Sequence, residues 1–359
     1  MRWFWQYGVV LLMLGCGSAL PTQPDPAALM DALLAAPTDD EIAAVTAFFN
    51  RQVYVGSPGG FEVLDTREGV FCKLSLVAYQ SEGLRIYGVM SQPKTAGTYP
   101  IILYSHGGDE GFWATELDHP LSAAFVQLAS SFRSEPVLWF GRQYVSEGAP
   151  GLWDGDVADA LTLLAYADQV PGADVSRVIS FGGSRGGAVA LLAAARQPNR
   201  FVFVVDLFGP TDFFDPAFRD DLDRLVGDRT DDRPGVAFLK QEIVDPYVAG
   251  DLSLHDARWA LLRRSVLYFA ERLPPVQIHH GTVDDIVPIS QSDRLAERLQ
   301  TLQMPVEYYT YPGKGHDPFL GDELLPRILA FVTAKGIKLE VAAMEDLLQV
   351  SFFTDWALR

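Results

Sequence analysis

The stretch "ISFGGSRGGAVALL", residues 179–192, constrains this chain more than any other. An apolar run ends in Gly182-Gly183-Ser184-Arg185-Gly186-Gly187, and a small-residue helical run begins at once. A hydroxyl lifted out of so sharp a strand-to-helix turn needs neighbours without side chains, because the backbone there is strained and crowded. Gly182 and Gly186 flank Ser184 in a G-x-S-x-G pattern. The N–H of the next residue and the start of the helix would then face negative charge developing beside the hydroxyl. Gly-rich strand–helix turns also bind phosphates, so the pattern gains its meaning from its flanks. "RVISF" before it reads as a strand and "AVALLAAA" after it as a helix.

The rest of the chain supplies a setting for such a turn. Strand-like segments at 71–80 and 84–93 flank a Gly-containing turn and predict a hairpin. Short apolar runs follow at 100–108, 124–133, 177–181, 201–209, 275–281 and 305–313, and helical patterns fall at 154–170, after Ser184, at 290–302 and at 322–335. Alternation of this kind predicts a doubly wound, mostly parallel sheet covered on both faces. Residues 210–273 are too long for a connection and are expected to form a helical, lid-like insertion, with one helix over 255–273. Residues 341–359 read as an extra amphipathic helix.

A nucleophilic serine needs a base, and in a fold of this kind the chain order is serine, acid, histidine. His106 and His119 precede Ser184, His279 and His280 end a strand before any suitable acid, and His255 lies in the insertion. His316, in the glycine-flanked loop "YPGKGHDPF", remains. For the acid, "HHGTVDDIVP" offers Asp284 and Asp285 just past a strand end; spacing favours Asp284, with Asp206 a weaker candidate. Trp113, Trp139 and Trp153 are expected either to line a pocket or to pack the insertion.

Composition bounds the partners. A formal net charge of −18 repels phosphate backbones and anionic headgroups, which argues against nucleic-acid binding. No CxxC or HExxH pattern occurs, so no metal is expected, and the chemistry requires no cofactor. At the N-terminus, Arg2 precedes an apolar run from Gly8 to Leu14 and then Gly15-Cys16. The run is too short to span a bilayer and fits an export signal. Small-Cys after such a run resembles a bacterial lipoprotein cleavage site. The expectation is a signal over 1–15, lipid on Cys16, a proline-rich tether over 16–40 that leads into a short helix, a domain over 41–340, and a place at the cell envelope. Cys72 would then lack an intramolecular partner and is expected to be a buried, inert thiol.

Taken together, "YPIILYSHGG", "ASSFRSE", "WDGDVADAL", "DVSRVISFGGSRGG", "HHGTVDDIVP" and "YPGKGHDPF" resemble the α/β-hydrolase superfamily, and within it the catalytic domain of the prolyl oligopeptidase (S9-type) family. The resemblance runs over roughly 70–335. It implies Ser184 as nucleophile, Asp284 as acid, His316 as base, and an oxyanion hole from the N–H groups of Arg185 and Gly108. Some members place a tyrosine hydroxyl where this chain has His106, so backbone donors must supply the hole. With so few residues ahead of the domain, the family's propeller is not expected here. The implied activity is a serine hydrolase on a peptide or small-molecule substrate; a carboxylesterase uses the same machinery, and a non-catalytic binding protein on the same scaffold is the reading from another class. No residue separates ester from peptide specificity, and oligomeric state is not legible.

Overall fold

The computed structural model describes residues 25–57, 59–216, 218–219 and 236–337. The expected signal, Cys16 and the 341–359 helix lie outside them. Nine strands form one sheet: β1 (Phe61–Glu68), β2 (Cys72–Ser81), β3 (Leu84–Pro93), β4 (Tyr99–Ser105), β6 (Val126–Ser130), β9 (Ala173–Gly183), β10 (Phe203–Leu207), β11 (Val276–Gly281) and β12 (Val306–Tyr311). Their spatial order is β1-β2-β3-β6-β4-β9-β10-β11-β12. The strands from β6 to β12 in that order run parallel, while β1, β2 and β3 are antiparallel. β5 (Phe112–Trp113), β7 (Pro136–Trp139) and β8 (Arg142–Val145) make a small second sheet.

This is an α/β-hydrolase fold, as the alternation predicts. After β4 the chain turns to one side to form β6, then returns to the other to form β9, so the strand order reverses at β4. Ligands of open parallel sheets sit beyond the carboxyl ends of strands at such a reversal. The β2–β3 turn is made by Glu82 and Gly83, both at positive φ (49° and 81°), as a tight two-residue hairpin requires.

Among the described residues, the helices of eight residues or more are α1 (Pro26–Leu33), α2 (Asp39–Arg51), α3 (Asp154–Ala165), α4 (Arg185–Arg196), α5 (Leu254–Leu262), α6 (Ser290–Thr301) and α7 (Leu324–Ala334). Among the described residues, the two faces of the sheet are covered unequally. One packs against α3, α4, α6 and helices of the insertion through a large core that includes Val157, Leu161, Leu191, Val266 and Leu295. On the other, among the described residues, Ile179, Phe203 and Val205 meet mainly α7, through Leu324, Ile328, Phe331 and Val332. Cys72 lies in a third core under the small sheet, where burial pushes its thiol up to about 12. Among the described residues no helix is long and apolar enough to cross a membrane, and no group of three or more His, Cys, Asp or Glu could hold a metal.

Three local expectations change. β1 has no counterpart in the sequence reading: it is a mostly exposed edge strand with a register shift between Val63 and Asp65, and its charged side chains mask apolar alternation. The helix expected over 255–273 stops at Leu262. There the Ser265 hydroxyl donates to the Leu261 carbonyl and accepts from Phe213 N–H, while Arg264 reaches the Ala260 and Leu152 carbonyls. These side chains take carbonyls that would otherwise carry the helix onward. Finally, the short helix expected to follow the prolines is α1, but it belongs to the fold and not to a tether. Met30 and Leu33 of α1 are buried in the main core.

Arg258 of α5 holds that N-terminal region down. Its guanidinium donates to the carbonyls of Leu33 and Ala35 at 2.9 and 2.7 Å, so it caps the end of α1. It also makes a two-pronged pair with Glu41 at 2.6 and 2.9 Å. The Arg258 hydrogen bonds pull the Glu41 carboxyl from 4.5 down to about 2. A carboxyl depressed on folding stabilises the fold above its unfolded pKa, and that contribution fades as pH falls through the folded value. Because solvent reaches part of this pair, the contribution is about 1–2 kcal/mol. Glu41→Gln is therefore expected to lose that amount at pH 7 in urea unfolding, with the gap to wild type closing as pH falls from about 4.5 toward 2; a gap constant with pH contradicts the assignment.

Candidate active site

β9 runs into α4 through Ser184, whose backbone sits at φ 56° and ψ −127°. Two glycines make that turn possible. A Cβ on Gly182 would lie 2.1 Å from the Gly186 carbonyl oxygen, and one on Gly186 would lie 2.0 Å from that of Ser105. The elbow is thus wedged against the end of β4, and any larger residue at either position must displace backbone. Ser184 N–H donates to Leu207 O at 2.8 Å, which ties the turn to β10.

Ser184, His316 and Asp284 come together. Ser184 Oγ lies 2.8 Å from His316 Nε2, and His316 Nδ1 lies 2.7 Å from Asp284 Oδ2. A carboxylate only accepts, so Nδ1 carries the proton and Nε2 is left to accept from the serine hydroxyl. The Asp284 side chain is fully buried, whereas Asp285 is exposed, which resolves the choice between them. Burial alone would raise the Asp284 pKa, but hydrogen bonds from His280, His316 and the Val287 backbone outweigh it and hold the carboxyl well below the usual range. Oδ1 accepts the N–H groups of Ile286 and Val287, both at 2.9 Å. Asp206, the weaker acid candidate, points elsewhere: its Oδ1 accepts Gly209 N–H beneath the elbow, and burial pushes it up to about 7. His255 sits on α5 beside Trp259.

His280 has a part that sequence reasoning did not assign. Its Nε2 faces two acceptors, Val287 O at 2.9 Å and Asp284 Oδ2 at 3.3 Å, and its Nδ1 faces Ser292 Oγ at 2.7 Å. The ring therefore donates toward Asp284 from behind. The signal lay in the spacing of His280 and Asp284, four residues apart across a tight turn.

Gly107 and Gly108 form the facing wall. The Gly107 backbone packs on the elbow: a Cβ there would come within 3.5 Å of Ser184 Cβ. His106 Nδ1 donates to Gly107 O at 2.9 Å, its ring stacked between Phe112 and Phe132, and burial lowers its pKa to about 3, so the ring is neutral. In a planar trans peptide the carbonyl and the following N–H point in opposite directions. Holding the Gly107 carbonyl therefore also fixes the direction of the Gly108 N–H. His106 acts through the backbone.

The Arg185 side chain is anchored beside that wall. It is buried, donates to Asp156 Oδ2 at 2.8 Å, to Glu135 Oε1 at 2.5 Å and to Gly108 O at 3.2 Å, and lies 4.4 Å over the Phe132 ring. Glu135 in turn accepts Gly111 N–H, and Asp156 accepts Trp153 N–H. One guanidinium thus joins the elbow, the glycine loop and the start of α3. Sequence reading placed only its N–H at the site.

A cavity of about 990 Å³ opens over Ser184 and His316. Trp113 and Trp153 line it, with Asp212, Phe213, Phe218 and Leu239 of the insertion. Trp139 does not; it is buried under the small sheet with its indole N–H on Asp65.

Fold and site together define an α/β hydrolase of the serine type. The chain belongs to the BD-FAE family, whose model matches residues 88–299, more than half of it. Among curated relatives, dipeptidyl peptidase family member 6 of Caenorhabditis elegans is 29% identical over 188 residues, 49% of this chain and 22% of that protein. The uncharacterized peptidase YtmA of Bacillus subtilis (strain 168) is 26% identical over 243 residues, 67% of this chain and 84% of the relative. Acetyl xylan esterase 1 from Thermoanaerobacterium sp. JW/SL YS485 shares the fold with a TM-score of 0.59 at 20% identity, over 86% of this chain and 98% of its own. The chain thus spans under a quarter of the first of these relatives.

The guanidinium network generates a prediction. Arg185→Lys keeps the buried charge but loses the planar fork that reaches Asp156, Glu135 and Gly108 together. Because the Gly108 peptide loses its anchor, kcat is expected to fall by about 10- to 100-fold with KM within twofold. An unchanged kcat in the folded variant contradicts the positioning role.

Proposed function

We propose that this chain is a serine hydrolase that cleaves peptide or ester bonds through an acyl-enzyme on Ser184. One observation carries the reading: the continuous hydrogen-bonded chain Ser184 Oγ–His316 Nε2 and His316 Nδ1–Asp284 Oδ2, at 2.8 and 2.7 Å.

His316 Nε2 takes the Ser184 proton as Oγ attacks the substrate carbonyl, and Asp284 stabilises the imidazolium that results. The carbonyl oxygen becomes negative, and the N–H groups of Arg185 and Gly108 receive it. His316 then returns the proton to the leaving amine or alcohol as the carbonyl re-forms and the bond breaks. Water repeats the sequence: it gives a proton to His316, attacks the acyl carbon, and Ser184 leaves with the proton restored. No free cation is required for any of these steps, since the charge is spread over fixed backbone dipoles.

Labelling by a fluorophosphonate probe tests the reading. Wild-type protein is expected to label and Ser184→Ala to be blank, with kcat on a p-nitrophenyl ester lowered by about 10⁴-fold or more in Ser184→Ala and by about 10⁴-fold in Asp284→Asn. Folded wild type that neither labels nor hydrolyses overturns it. The same enzyme assayed on paired p-nitrophenyl ester and peptide anilide substrates separates esterase from peptidase.

The N-terminal run Gly8–Leu14 followed by Gly15-Cys16 supports export with lipid on Cys16 and a place at the cell envelope. Radiolabelled palmitate is expected to enter the wild-type chain in a bacterial host and not Cys16→Ala; equal incorporation into both contradicts it.

A further inference from the structure

The cavity over Ser184 does not end at the reacting atoms. It descends between the sheet and α7, on the face that α7 covers among the described residues. Strand register puts side chains of three neighbouring strands in rows across that face. Tyr104, Phe181 and Val205 make one row, and Ile102, Ile179 and Phe203 the next row down. Gly183 and Leu207, beside Ser184, form the row above. The main cavity touches Leu207, Gly183, Phe181, Tyr104 and Ile102 in descending order. A second void of about 30 Å³ shares Ile102 and Phe181 with it and continues to Ile179 and Phe203. Two rows of strand side chains, at about 3.3 Å per residue, carry this path about 13 Å below the elbow.

Burial agrees with that path. Tyr104 and Phe181 belong to the two central strands, where side chains are normally sealed, and yet both are half-buried. Leu121, Leu325 and Ile328 face them across the gap. Polar residues, Thr115, Glu116, Asp118, His119 and Gln127, line only its upper side. Tyr104 Oη donates to Glu116, and the Gln127 side chain bonds Ser91, Leu117 O and His119. Below Tyr104 the deeper void is walled by aliphatic and phenylalanine side chains alone, so a charged or heavily hydroxylated group would be desolvated there without partners.

We infer that this path is a binding channel for an extended, unbranched alkyl chain, carried on either the acyl or the alcohol side of an ester cleaved at Ser184. The inference rests on the hydrolase reading, and deepens it to a substrate class. Each methylene that enters leaves water for an apolar wall, so kcat/KM rises with chain length until the channel is full.

Two ester series test it with the whole protein: p-nitrophenyl acetate, butyrate, octanoate and palmitate vary the acyl side, and methyl to octyl acetates vary the alcohol side. In one series kcat/KM is expected to rise at least tenfold from the shortest chain to the eight-carbon one, and that series identifies the end of the ester that enters. Leu121→Trp and, separately, Ile102→Phe fill the gap and are expected to bring the ratio to about one. Flat or falling profiles in both series, with Ser184 labelled by the probe, overturn the channel and leave the hydrolase reading standing. If wild type neither labels nor turns over any ester, calorimetric titration of Ser184→Ala with 1-octanol against ethanol decides the channel alone. Saturable heat with octanol that Leu121→Trp abolishes supports it, and none overturns it.

Discussion

Ser184 occupies a backbone conformation that an L-residue resists, and the arrangement around it follows from holding it there. A non-glycine residue at φ 56° and ψ −127° costs about 1–3 kcal/mol. The surroundings over-determine it. Gly182, Gly186 and the end of β4 interlock with no room for a side chain, β10 receives the Ser184 N–H, and α4 begins at once with every residue buried. An elbow so confined cannot relax its hydroxyl out of the site. Strain at this point is the means by which a mid-sheet residue presents its side chain above the strand ends.

The electrostatics around that hydroxyl are arranged in two layers. His316 contacts the serine, and Asp284 contacts His316; behind them His280 and two backbone N–H groups leave Asp284 no other state than the carboxylate. On the opposite wall, His106 and Arg185 hold the carbonyls of Gly107 and Gly108, and so direct the backbone from behind. Arg185 is buried with two carboxylates, and removing one partner of such a network leaves an uncompensated charge. Its value here is in fixing three loops relative to one another. Relatives described as peptidases and a fold-mate described as an esterase are both compatible with this machinery, because neither wall depends on the leaving group.

Much of this was legible in the sequence, and the parts that were not share a cause. The elbow, the parallel strands and His316 announce themselves through local pattern: glycines around one serine, apolar runs, a histidine between glycines after the last strand. Asp284 over Asp285 was legible only as a preference, since neighbouring side chains are told apart by where a turn points them. His280 could have been found from its four-residue spacing to Asp284, whereas Glu135 and Asp156 were invisible as site residues because their parts depend on contacts between distant segments. Arg185 was read for its N–H alone, and its side chain bridges to residues 135 and 156. β1 was hidden by its own charged edge; α1 was legible as a short helix, but its docking on the main core under the Arg258 cap was not. The gap between the central strands and α7, among the described residues, has no local signature at all.

The central claim is that Ser184 becomes covalently acylated during turnover. Acid-quenching the enzyme a few turnovers into hydrolysis of a slow ester, then mapping peptides by mass spectrometry, measures this directly. The account predicts the acyl mass on the peptide that contains Ser184 and on no other, with no adduct in Ser184→Ala. Turnover that persists in Ser184→Ala, or an acyl group found on a different side chain, would contradict it.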